Sequence, residues 1–381
     1  VTSGNIQYIP DEVYTAFVNE VKNQSVLFGE EVNKDVAIVY SPLNGSGLVP
    51  VTRVLKDIGI TDITIVPEQE YPNGYFTTCS YPNPEIFAAL EKGLDLAKET
   101  GADLMLATDP DADRVGIAVP DGDDYALFSG NEVGAMLLEY ICQQRIEKGT
   151  MPKNPIAVKT IVTTDIVNAI AKEYGVEVID VLTGFKFIGQ KILEFEKTGK
   201  GTYLFGMEES YGCLTGTYAR DKDAIVASMT LCEAAAYYKT KNMTLWDAML
   251  AMYERYGYYK DDVTSITLKG IEGLAKIQEI MNTLRENAPA EIGGYKVTAV
   301  RDYKKNTITD TATGAVKPTG LPASNVLYYE LEDDAWVCVR PSGTEPKVKF
   351  YLGVKGTSLE DADAKSKALS EAVHAMIGKM L

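Results

Sequence analysis

The sequence predicts an α/β protein in which two serial α/β domains with mixed sheets precede a smaller α+β domain. Two observations support this fold class. Over the first two thirds of the chain, short apolar runs alternate with stretches of helical periodicity, which is the pattern of βαβ crossovers. From about residue 258 the alternation stops, and β-rich segments are flanked by helices. We expect domains at 1–124, 125–257 and 258–381.

The elements follow in order along the first two domains. In the first domain, apolar runs predict strands at 35–40, 63–67, 102–107 and 114–120, the last of which follows a tight turn. Helical spacing predicts helices at 10–21, 48–58 and 84–100. The pattern restarts at Asn131, with helices at 131–146, 165–174, 185–195, 222–239 and 245–256 and strands at 156–162, 176–181 and 202–206.

The last domain has a different pattern of helices and strands. Its helices are predicted at 270–286 and from Leu359 onward, and its β-rich segments lie around 295–300, 325–331 and 336–339. Strands and helices without strict alternation indicate a small α+β domain.

Composition excludes several classes of function. The net charge is −17 and no run of Lys or Arg occurs, so we expect no nucleic-acid partner. No stretch is apolar and long enough to cross a membrane. The five cysteines are scattered and form no CxxC pair, which indicates reduced thiols in a cytoplasmic protein. The chain opens with Val1 and a polar strip, which we interpret as a start in mid-protein.

The histidine content restricts the chemistry further. The only histidine, His374, lies in an apolar-periodic stretch and is expected on a helix surface. Serine triads, Cys-His dyads and histidine-based zinc sites are therefore excluded as catalytic centres. Proton transfer then falls to Lys, Asp, Glu or Tyr, with a metal ion where one is needed.

A loop between two predicted strands carries three aspartates at alternate positions, followed by an arginine. Asp109, Asp111 and Asp113 can converge on one hard cation, and Arg114 can share a phosphate oxygen with it. An EF-hand starting at Asp109 would need Gly and Glu where Arg114 and Pro120 stand, so that alternative fails. A solvated acidic turn is the other alternative, and the spacing with the adjoining arginine favours metal over it.

A second loop, Arg-Pro-Ser-Gly-Thr-Glu-Pro-Lys at 340–347, combines hydroxyls, a glycine and two cations. Successive backbone N–H groups in such a turn form an anion nest, and Arg340 and Lys347 flank it. An ordinary hairpin turn would use similar residues. The flanking cations favour phosphate.

Other loops carry weaker signals. Glu208 and Ser210 alternate in the glycine-flanked segment 206–212 and could meet sugar hydroxyls, whereas Lys186 and Lys222 could transfer protons if the site lowered their pKa values. Taken alone, these residues are equally typical of a solvated surface. The segment 41–47 follows a strand but lacks P-loop spacing, and we interpret it as a structural turn that borders the cleft.

Taken together, the loops DPDADR, GMEESYG and RPSGTEPK, with TGFKFIG and RDKDA, resemble the active-site loops of the α-D-phosphohexomutase family of phosphoglucomutases and phosphomannomutases. The resemblance covers the chain from its first residues to its C-terminus, and the EES form is most similar to bacterial phosphoglucomutases. It implies that the three predicted domains are of the phosphohexomutase type and correspond to the family's second, third and fourth domains.

The resemblance also implies roles. Asp109, Asp111 and Asp113 would bind Mg²⁺, and Arg114, Lys186 and Lys222 would serve catalysis. The remaining implied residues would bind substrate: Thr183, Gly184, Glu208, Ser210, Arg340, Ser342, Gly343 and Thr344. The implied reaction interconverts hexose 1-phosphate and hexose 6-phosphate through a phosphoserine and a glucose 1,6-bisphosphate intermediate.

One family feature has no counterpart in the chain. The phosphoserine loop of the family's first domain, similar to Thr-Ala-Ser-His-Asn-Pro, does not occur in these residues. We therefore expect a fragment that binds a hexose phosphate but barely turns it over, as a monomer or dimer. The alternatives are a phosphomannomutase, a phosphopentomutase, or a non-catalytic sugar-phosphate-binding protein. A metal-dependent phosphatase would need a nucleophilic Asp with spaced Thr and Lys, a constellation that we cannot place.

Overall fold

A computed structural model describes residues 4, 7–27, 34–268, 270–342 and 346–380, and every structural statement refers to them. The chain forms two compact units. The first comprises residues 1–163 and 167–251, and the second comprises residues 164–166 and 252–381.

The helices and strands are numbered in chain order. The helices are α1 (Asp11–Lys22), α2 (Leu48–Asp57), α3 (Phe87–Thr100), α4 (Gly130–Glu147), α5 (Ile166–Tyr174), α6 (Phe185–Thr198), α7 (Ala224–Lys239), α8 (Leu245–Tyr256), α9 (Gly270–Glu286) and α10 (Leu359–Gly378). The strands are β1 (Ile38–Ser41), β2 (Ile63–Ile65), β3 (Leu104–Thr108), β4 (Val115–Asp121), β5 (Asp124–Phe128), β6 (Pro155–Thr160), β7 (Glu177–Val181), β8 (Thr202–Met207), β9 (Cys213–Thr215), β10 (Tyr258–Thr267), β11 (Glu291–Ile292), β12 (Tyr295–Asp302), β13 (Thr307–Asp310), β14 (Val316–Lys317), β15 (Leu327–Leu331), β16 (Trp336–Pro341) and β17 (Lys347–Gly356).

The first sheet has the order β2-β1-β3-β4-β5. Strand β1 is parallel to β2 and β3, whereas β4 and β5 are antiparallel to their neighbours. Because the parallel strands β1 and β3 end at the same edge, the turn at 41–47 and the aspartate loop at 109–114 lie side by side there. Helix α3 covers one face, where Gly93 lets it approach Met105 of β3 closely.

The second sheet has the order β7-β6-β8-β9, with only β9 antiparallel. The carboxyl ends of β7 and β8 share one edge, so Thr183-Gly184 after β7 lies beside the segment 208–212 after β8. Both sheets of this unit are therefore mixed, as the sequence predicts.

Helix α7 is mostly apolar on every side, with the buried Glu233 as an exception, and is buried from Ala224 to Tyr238. It packs against α1, α2 and α4 and against strands β3, β4 and β9, so it contacts both sheets of the first unit. A helix that is hydrophobic on all sides is stable only in such a surrounded position.

The second unit contains an antiparallel sheet of order β10-β17-β16-β15-β12-β13-β14, with β11 paired to β12. Helices α9 and α10 supply apolar side chains to its core, among them Met281, Leu284 and Leu369. This architecture confirms the predicted fold class: two α/β domains with mixed sheets, then a domain of helices on an antiparallel sheet.

Several elements differ from the sequence-based prediction. The helix predicted from residue 84 begins at Phe87, because Asn83 forms a turn with Glu85. The helix predicted from Lys222 begins at Ala224, since the Asp223 side chain accepts a hydrogen bond from Ile225 N and caps the helix. Strands β5, β9, β10, β11, β13 and β14 were not predicted.

The cysteines, the histidine and the hydropathy of the helices can also be described in the structure. All five cysteines are buried as thiols. His374 is exposed on α10, where its ring contacts Thr264 and the Ser370 carbonyl. Among the described residues, no helix combines the length and the apolar character needed to cross a membrane.

Candidate active site

The aspartate loop brings its three carboxylates together. One oxygen each of Asp109, Asp111 and Asp113 lies within 4.8 Å of the others. The loop is tight because Asp109 Oδ1 accepts hydrogen bonds from the backbone N–H groups of Asp113 (3.0 Å) and Arg114 (2.9 Å). Ala112 takes a left-handed conformation with φ of 57°, which turns the chain back toward β4.

Charge accumulates in this loop. Burial, together with the charges of Asp113 and Asp111, raises the pKa of Asp109 well above its ordinary value, although backbone N–H donors oppose this shift. Three converging carboxylates are the oxygen donors that Mg²⁺ and similar hard cations prefer. The donor set therefore fits a divalent cation, with one buried ligand and two more accessible ones.

Arg114 lies between this cluster and a neighbouring loop. Its Nε atom is 3.7 Å from Asp109 Oδ2 and 3.7 Å from Asp113 Oδ1, and its Nη1 atom donates to Glu85 Oε1 at 2.9 Å. The Arg114 side chain as a whole remains about one third exposed, so it can be reached from solvent.

The two candidate lysines lie in different environments. Lys222 Nζ is 2.6 Å from Asp113 Oδ2, and its side chain is only 14% exposed. Burial acts to lower the pKa of Lys222, but the carboxylates of Asp113, Asp221 and Glu208 outweigh this effect and leave it raised. Lys186 is exposed on the first turn of α6, and its ammonium lies 5.1 Å from the ring centre of Phe187. The structure therefore places Lys222, but not Lys186, at the carboxylate cluster.

Glu208 and Gly184 meet at the edge of the second sheet. The Gly184 N–H donates to Glu208 Oε1 at 2.9 Å, and Glu208 is almost completely buried. Burial raises the pKa of Glu208, while the positive charges of Lys222 and Arg114 act in the opposite direction. Thr183 and Ser210 flank this pair and are half-buried, and Thr183 Oγ1 has no hydrogen-bond partner.

Backbone hydrogen bonds join these loops. Val115 N, directly after Arg114, donates to Tyr211 O at 3.1 Å, and Ala224 N donates to Ala112 O at 3.0 Å. Gly212 leaves the space for the Lys222 side chain, since a Cβ there would lie 2.1 Å from Lys222 Cδ. The carboxylates, Arg114, Lys222 and Glu208 are thus held in one hydrogen-bonded body.

The turn after β1 supports the aspartate loop from the other side. Ser46 N donates to Pro110 O at 2.8 Å, and a Cβ at Gly45 would lie 2.3 Å from Pro110 Cα. Asn44 has a left-handed φ of 56°, and its amide donates to the carbonyls of Glu68 and Tyr71. This turn is structural, as predicted, and it borders the aspartate loop.

The predicted phosphate loop belongs to the second unit, where it joins β16 to β17. Arg340 is half-buried near the end of β16, with Nη1 3.5 Å from the Tyr351 hydroxyl, and Ser342 N donates to Lys347 O at 2.7 Å. Gly343 and Thr344 lie outside the described residues. Their assignment to phosphate binding stays a prediction.

Two residues that contact the site, Glu85 and Tyr211, were not predicted from the sequence. Glu85, in the Pro-Asn-Pro-Glu segment at 82–85, pairs with Arg114. Tyr211 provides the backbone link to β4 from a left-handed φ of 67°. Glu85 was predicted to lie in the first turn of a helix at 84–100, and no sequence signal indicated that it meets Arg114.

Comparison with known proteins gives a consistent family. Residues 15–122 match the profile of phosphoglucomutase/phosphomannomutase alpha/beta/alpha domain II, and residues 129–256 match domain III. Residues 284–366 match the C-terminal domain of the same family. A Staphylococcus aureus phosphoglucomutase is 33% identical over 373 residues, which is 97% of this chain and 66% of the relative. The chain thus spans slightly less than two thirds of the length of the curated relatives that it matches.

Solved structures share the fold at lower identity. Parafusin, a phosphoglucomutase from Paramecium, matches in its open form with a TM-score of 0.62 and 18% identity, covering 97% of this chain and 62% of that one. A phosphoglucomutase/phosphomannomutase family protein from Burkholderia thailandensis matches with a TM-score of 0.59 and 16% identity, covering 95% of this chain and 64% of that one. With three consecutive domains matching in the family's own order, the chain belongs to the phosphoglucomutase/phosphomannomutase family of α-D-phosphohexomutases.

Proposed function

We propose that this chain forms the metal-, sugar- and phosphate-binding part of a phosphoglucomutase-type enzyme, which interconverts hexose 1-phosphate and hexose 6-phosphate. The observation that carries the proposal is the convergence of three carboxylates, Arg114 and Lys222 in one hydrogen-bonded body. Glu208 stands in the same body with Gly184. A cation site beside two positive side chains and a buried carboxylate suits a phosphorylated sugar.

Each group has a task in such a reaction. Asp109, Asp111 and Asp113 would hold Mg²⁺, which when bound would neutralise charge on phosphoryl oxygens. Arg114 would orient the transferred phosphoryl group through its open N–H groups. Glu208 would accept hydrogen bonds from two sugar hydroxyls, with Ser210, Thr183 and Gly184 as further contacts.

Proton transfer is assigned to Lys222. A sugar hydroxyl that attacks phosphorus must lose its proton, and the serine oxygen that leaves must gain one. Lys222 Nζ lies among carboxylates beside the cation site, and because these carboxylates raise its pKa, contrary to the expectation from the sequence, it would stay protonated and give its proton to the leaving oxygen. Lys186, which is exposed, is assigned to phosphate contact. Arg340, Ser342, Gly343 and Thr344 would bind the phosphate that stays on the sugar.

The phosphoryl donor is the remaining part of the proposal. In the family reaction, a phosphoserine gives its phosphoryl group to the hexose monophosphate and recovers the other phosphate from the 1,6-bisphosphate. No loop of that kind occurs among these 381 residues. We therefore propose that the chain alone binds hexose phosphates and glucose 1,6-bisphosphate with negligible mutase turnover.

Two measurements on the 381-residue chain test this. Calorimetric titration with glucose 1,6-bisphosphate should detect binding that Mg²⁺ strengthens and that Asp111→Asn weakens, because the variant removes one carboxylate ligand. An assay with glucose 1-phosphate should give almost no glucose 6-phosphate. Turnover near that of a complete phosphoglucomutase would contradict the proposal that the phosphoryl donor is not among these residues. If no Mg²⁺-dependent binding of glucose 1,6-bisphosphate is found, the proposed cation site is wrong.

Substrate choice needs a separate comparison. Glucose and mannose phosphates differ in the configuration of one hydroxyl, so phosphomannomutase activity is an alternative within the same chemistry. Phosphopentomutase activity is a second alternative. Turnover by a protein that joins this chain to a family phosphoserine domain should be fastest with glucose 1-phosphate. Faster turnover with a mannose or pentose phosphate would reassign the substrate, and none with any sugar would favour a non-catalytic sugar-phosphate-binding protein. A cytoplasmic location and a monomeric or dimeric state remain predictions.

A further inference from the structure

Glu85 contacts the site from outside the loops that carry its predicted ligands. It lies between β2 and α3, and its Oε1 atom accepts a hydrogen bond from Arg114 Nη1 at 2.9 Å. Both side chains are about one third exposed, at 31% for Glu85 and 32% for Arg114. The contact therefore forms between two partly exposed side chains at the margin of the site.

The loop that carries Glu85 is held in place on the first sheet. Asn83 Oδ1 accepts from Glu85 N at 3.0 Å, and Ile86 N donates to Asn83 O at 2.9 Å. Pro84 packs on Gly116, where a Cβ would lie 2.7 Å from Pro84 Cβ. Because Gly116 follows Arg114 by two positions in the chain, the loop and the arginine are fixed to the same stretch of backbone.

Arg114 has competing partners on its other side. Its Nε atom lies 3.7 Å from a carboxylate oxygen of Asp109 and 3.7 Å from one of Asp113, and it makes no hydrogen bond. A guanidinium binds carboxylates best in a two-pronged geometry with short contacts. At 3.7 Å the arginine stands next to the cation ligands without such a bond, while its short bond goes to Glu85.

We propose that Glu85 is a positioning residue, which holds the Arg114 guanidinium away from Asp109 and Asp113. This keeps the guanidinium from adding a second positive contact to Asp113, which already pairs with Lys222, and from pairing with Asp109. It also leaves the guanidinium available for a phosphoryl group. The inference rests on the magnesium site of the proposed function. It adds that the site needs a fourth carboxylate that binds the arginine and not the metal.

The loss of Glu85 has a definite consequence. A freed guanidinium moves toward the nearest carboxylates, which are those of the aspartate loop, and then competes with the cation as a positive charge. Removing Glu85 should therefore weaken cation binding through Arg114. A simple loss of negative charge would also weaken cation binding, but it would do so whether or not Arg114 is present.

A thermodynamic cycle separates the two effects. Mn²⁺, observed by electron paramagnetic resonance as free ion, is titrated into the 381-residue chain and into the variants Glu85→Gln, Arg114→Met and their double variant. Glu68→Gln is the matched control, since it breaks a salt bridge of the same 2.9 Å length, with Lys92, in the same connection between β2 and α3. Circular dichroism checks that each variant is folded.

We expect Glu85→Gln to weaken Mn²⁺ binding about tenfold. This is the lower end of the loss in metal affinity that follows substitution of residues around a metal's ligands. In the Arg114→Met background the same substitution should change the affinity less than about twofold, because the competing cation is gone. Glu68→Gln should have little effect. Glu85→Asp, which keeps the charge on a shorter side chain, should lie between the parent and Glu85→Gln, and it serves in its place if Glu85→Gln does not fold.

The outcomes distinguish the inference from the function on which it rests. Equal affinity of the parent and Glu85→Gln overturns the role of Glu85, and so does an equal loss in both backgrounds. A parent chain that binds no Mn²⁺ overturns the magnesium site itself, and this inference with it. In a complete enzyme, Glu85→Gln should lower kcat and raise the Mg²⁺ concentration needed for half-maximal rate, with excess Mg²⁺ restoring part of kcat.

Discussion

The ammonium group of Lys222 lies 2.6 Å from the carboxylate of Asp113, one of the three aspartates that converge at the candidate cation site. The pair joins the two mixed sheets of the first unit. Asp113 follows β3 of the first sheet, and Lys222 lies between β9 of the second sheet and α7. A positive side chain thus contacts a ligand atom that a divalent cation would also use.

This contact predicts that Lys222→Met tightens divalent cation binding in the absence of sugar phosphate. Methionine keeps the apolar stem that packs on Gly212 but removes the competing charge. Mn²⁺ affinity should rise about fivefold, equivalent to about 1 kcal/mol, as for a pair at the edge of solvent.

Lys186→Met is the matched control for this prediction. Lys186 is exposed on α6, so its replacement should leave the Mn²⁺ affinity unchanged. Unchanged or weaker binding by Lys222→Met would contradict the competition between lysine and cation.

Gly45 predicts a second, steric effect on the same loop. Its φ is not in the left-handed region, so alanine fits its backbone, but the added methyl group would lie 2.3 Å from Pro110 Cα and 2.6 Å from Pro110 O. Gly45→Ala should therefore displace the aspartate loop, cost about 1–3 kcal/mol of stability, as overpacking does, and weaken Mn²⁺ binding.

Gly74→Ala is the control for Gly45→Ala, because Gly74 is exposed and a methyl group there meets no atom within 4 Å. Urea unfolding and Mn²⁺ titration of the two variants measure both effects. A Gly45→Ala protein with parental stability and affinity would mean that the two loops can separate without consequence.

Patterns in the sequence predicted most of the first unit, because strands that are buried on both faces stand out as short continuous apolar runs. Strand β3 is buried at all five positions, and its apolar run located the aspartate loop that follows it. Strand β10 was missed for the opposite reason. It is a ten-residue edge strand with exposed or half-exposed positions throughout, and charged residues such as Lys260 and Asp262 interrupt its pattern.

The site divides in the same way between what the sequence could and could not predict. Local spacing was enough for Asp109, Asp111 and Asp113, since carboxylates in one loop must lie close together. Which lysine reaches them depends on how the second sheet is placed against the first, so the sequence left Lys186 and Lys222 equivalent. The contact of Glu85 with Arg114 depends on packing of Pro84 on Gly116, which no local pattern encodes.

The second unit contains a buried ion pair that predicts a large effect on stability. Arg285 Nε donates to Asp302 Oδ2 at 3.0 Å, its Nη2 donates to Asn325 Oδ1 at 2.8 Å, and the Arg285 and Asp302 side chains are only 7% and 8% exposed. Arg285→Met removes the close partner of the buried Asp302 carboxylate and leaves it a longer contact to Lys305 Nζ at 3.9 Å, which should cost about 3–5 kcal/mol.

The control for Arg285→Met lies on the same helix. Lys276 pairs with Glu279 at 3.0 Å on the exposed face of α9, and Lys276→Met should cost less than about 0.5 kcal/mol. Urea unfolding of both variants gives the comparison. Equal stability of the two variants would show that Asp302 finds sufficient compensation from the N–H groups of Lys304 and Lys305, which also donate to it.

A buried carboxylate on α7 predicts a dependence of stability on pH. Burial raises the pKa of Glu233 from 4.5 to about 7, although Ser25 and backbone N–H groups that donate to it oppose the shift. The folded protein then binds this proton more tightly than the unfolded chain does. The contribution of Glu233 to stability is therefore fully present below pH 4.5 and is lost as the pH rises toward 7.

Glu233→Gln replaces the titrating carboxyl group by an uncharged amide and should remove its contribution to the pH dependence of stability between pH 4.5 and 7. The free energy of unfolding of the variant, minus that of the parent, should rise between about pH 4.5 and pH 7 by about 3 kcal/mol, from 1.36 kcal/mol per pKa unit. Asp109 has a raised pKa as well, but it is common to both proteins and cancels in the difference. Glu99→Gln, which changes an exposed glutamate on α3, controls for general charge effects. Urea unfolding at half-unit pH intervals measures the difference, and a constant offset across that range would mean that Glu233 is ionised in the folded protein as readily as in the unfolded chain.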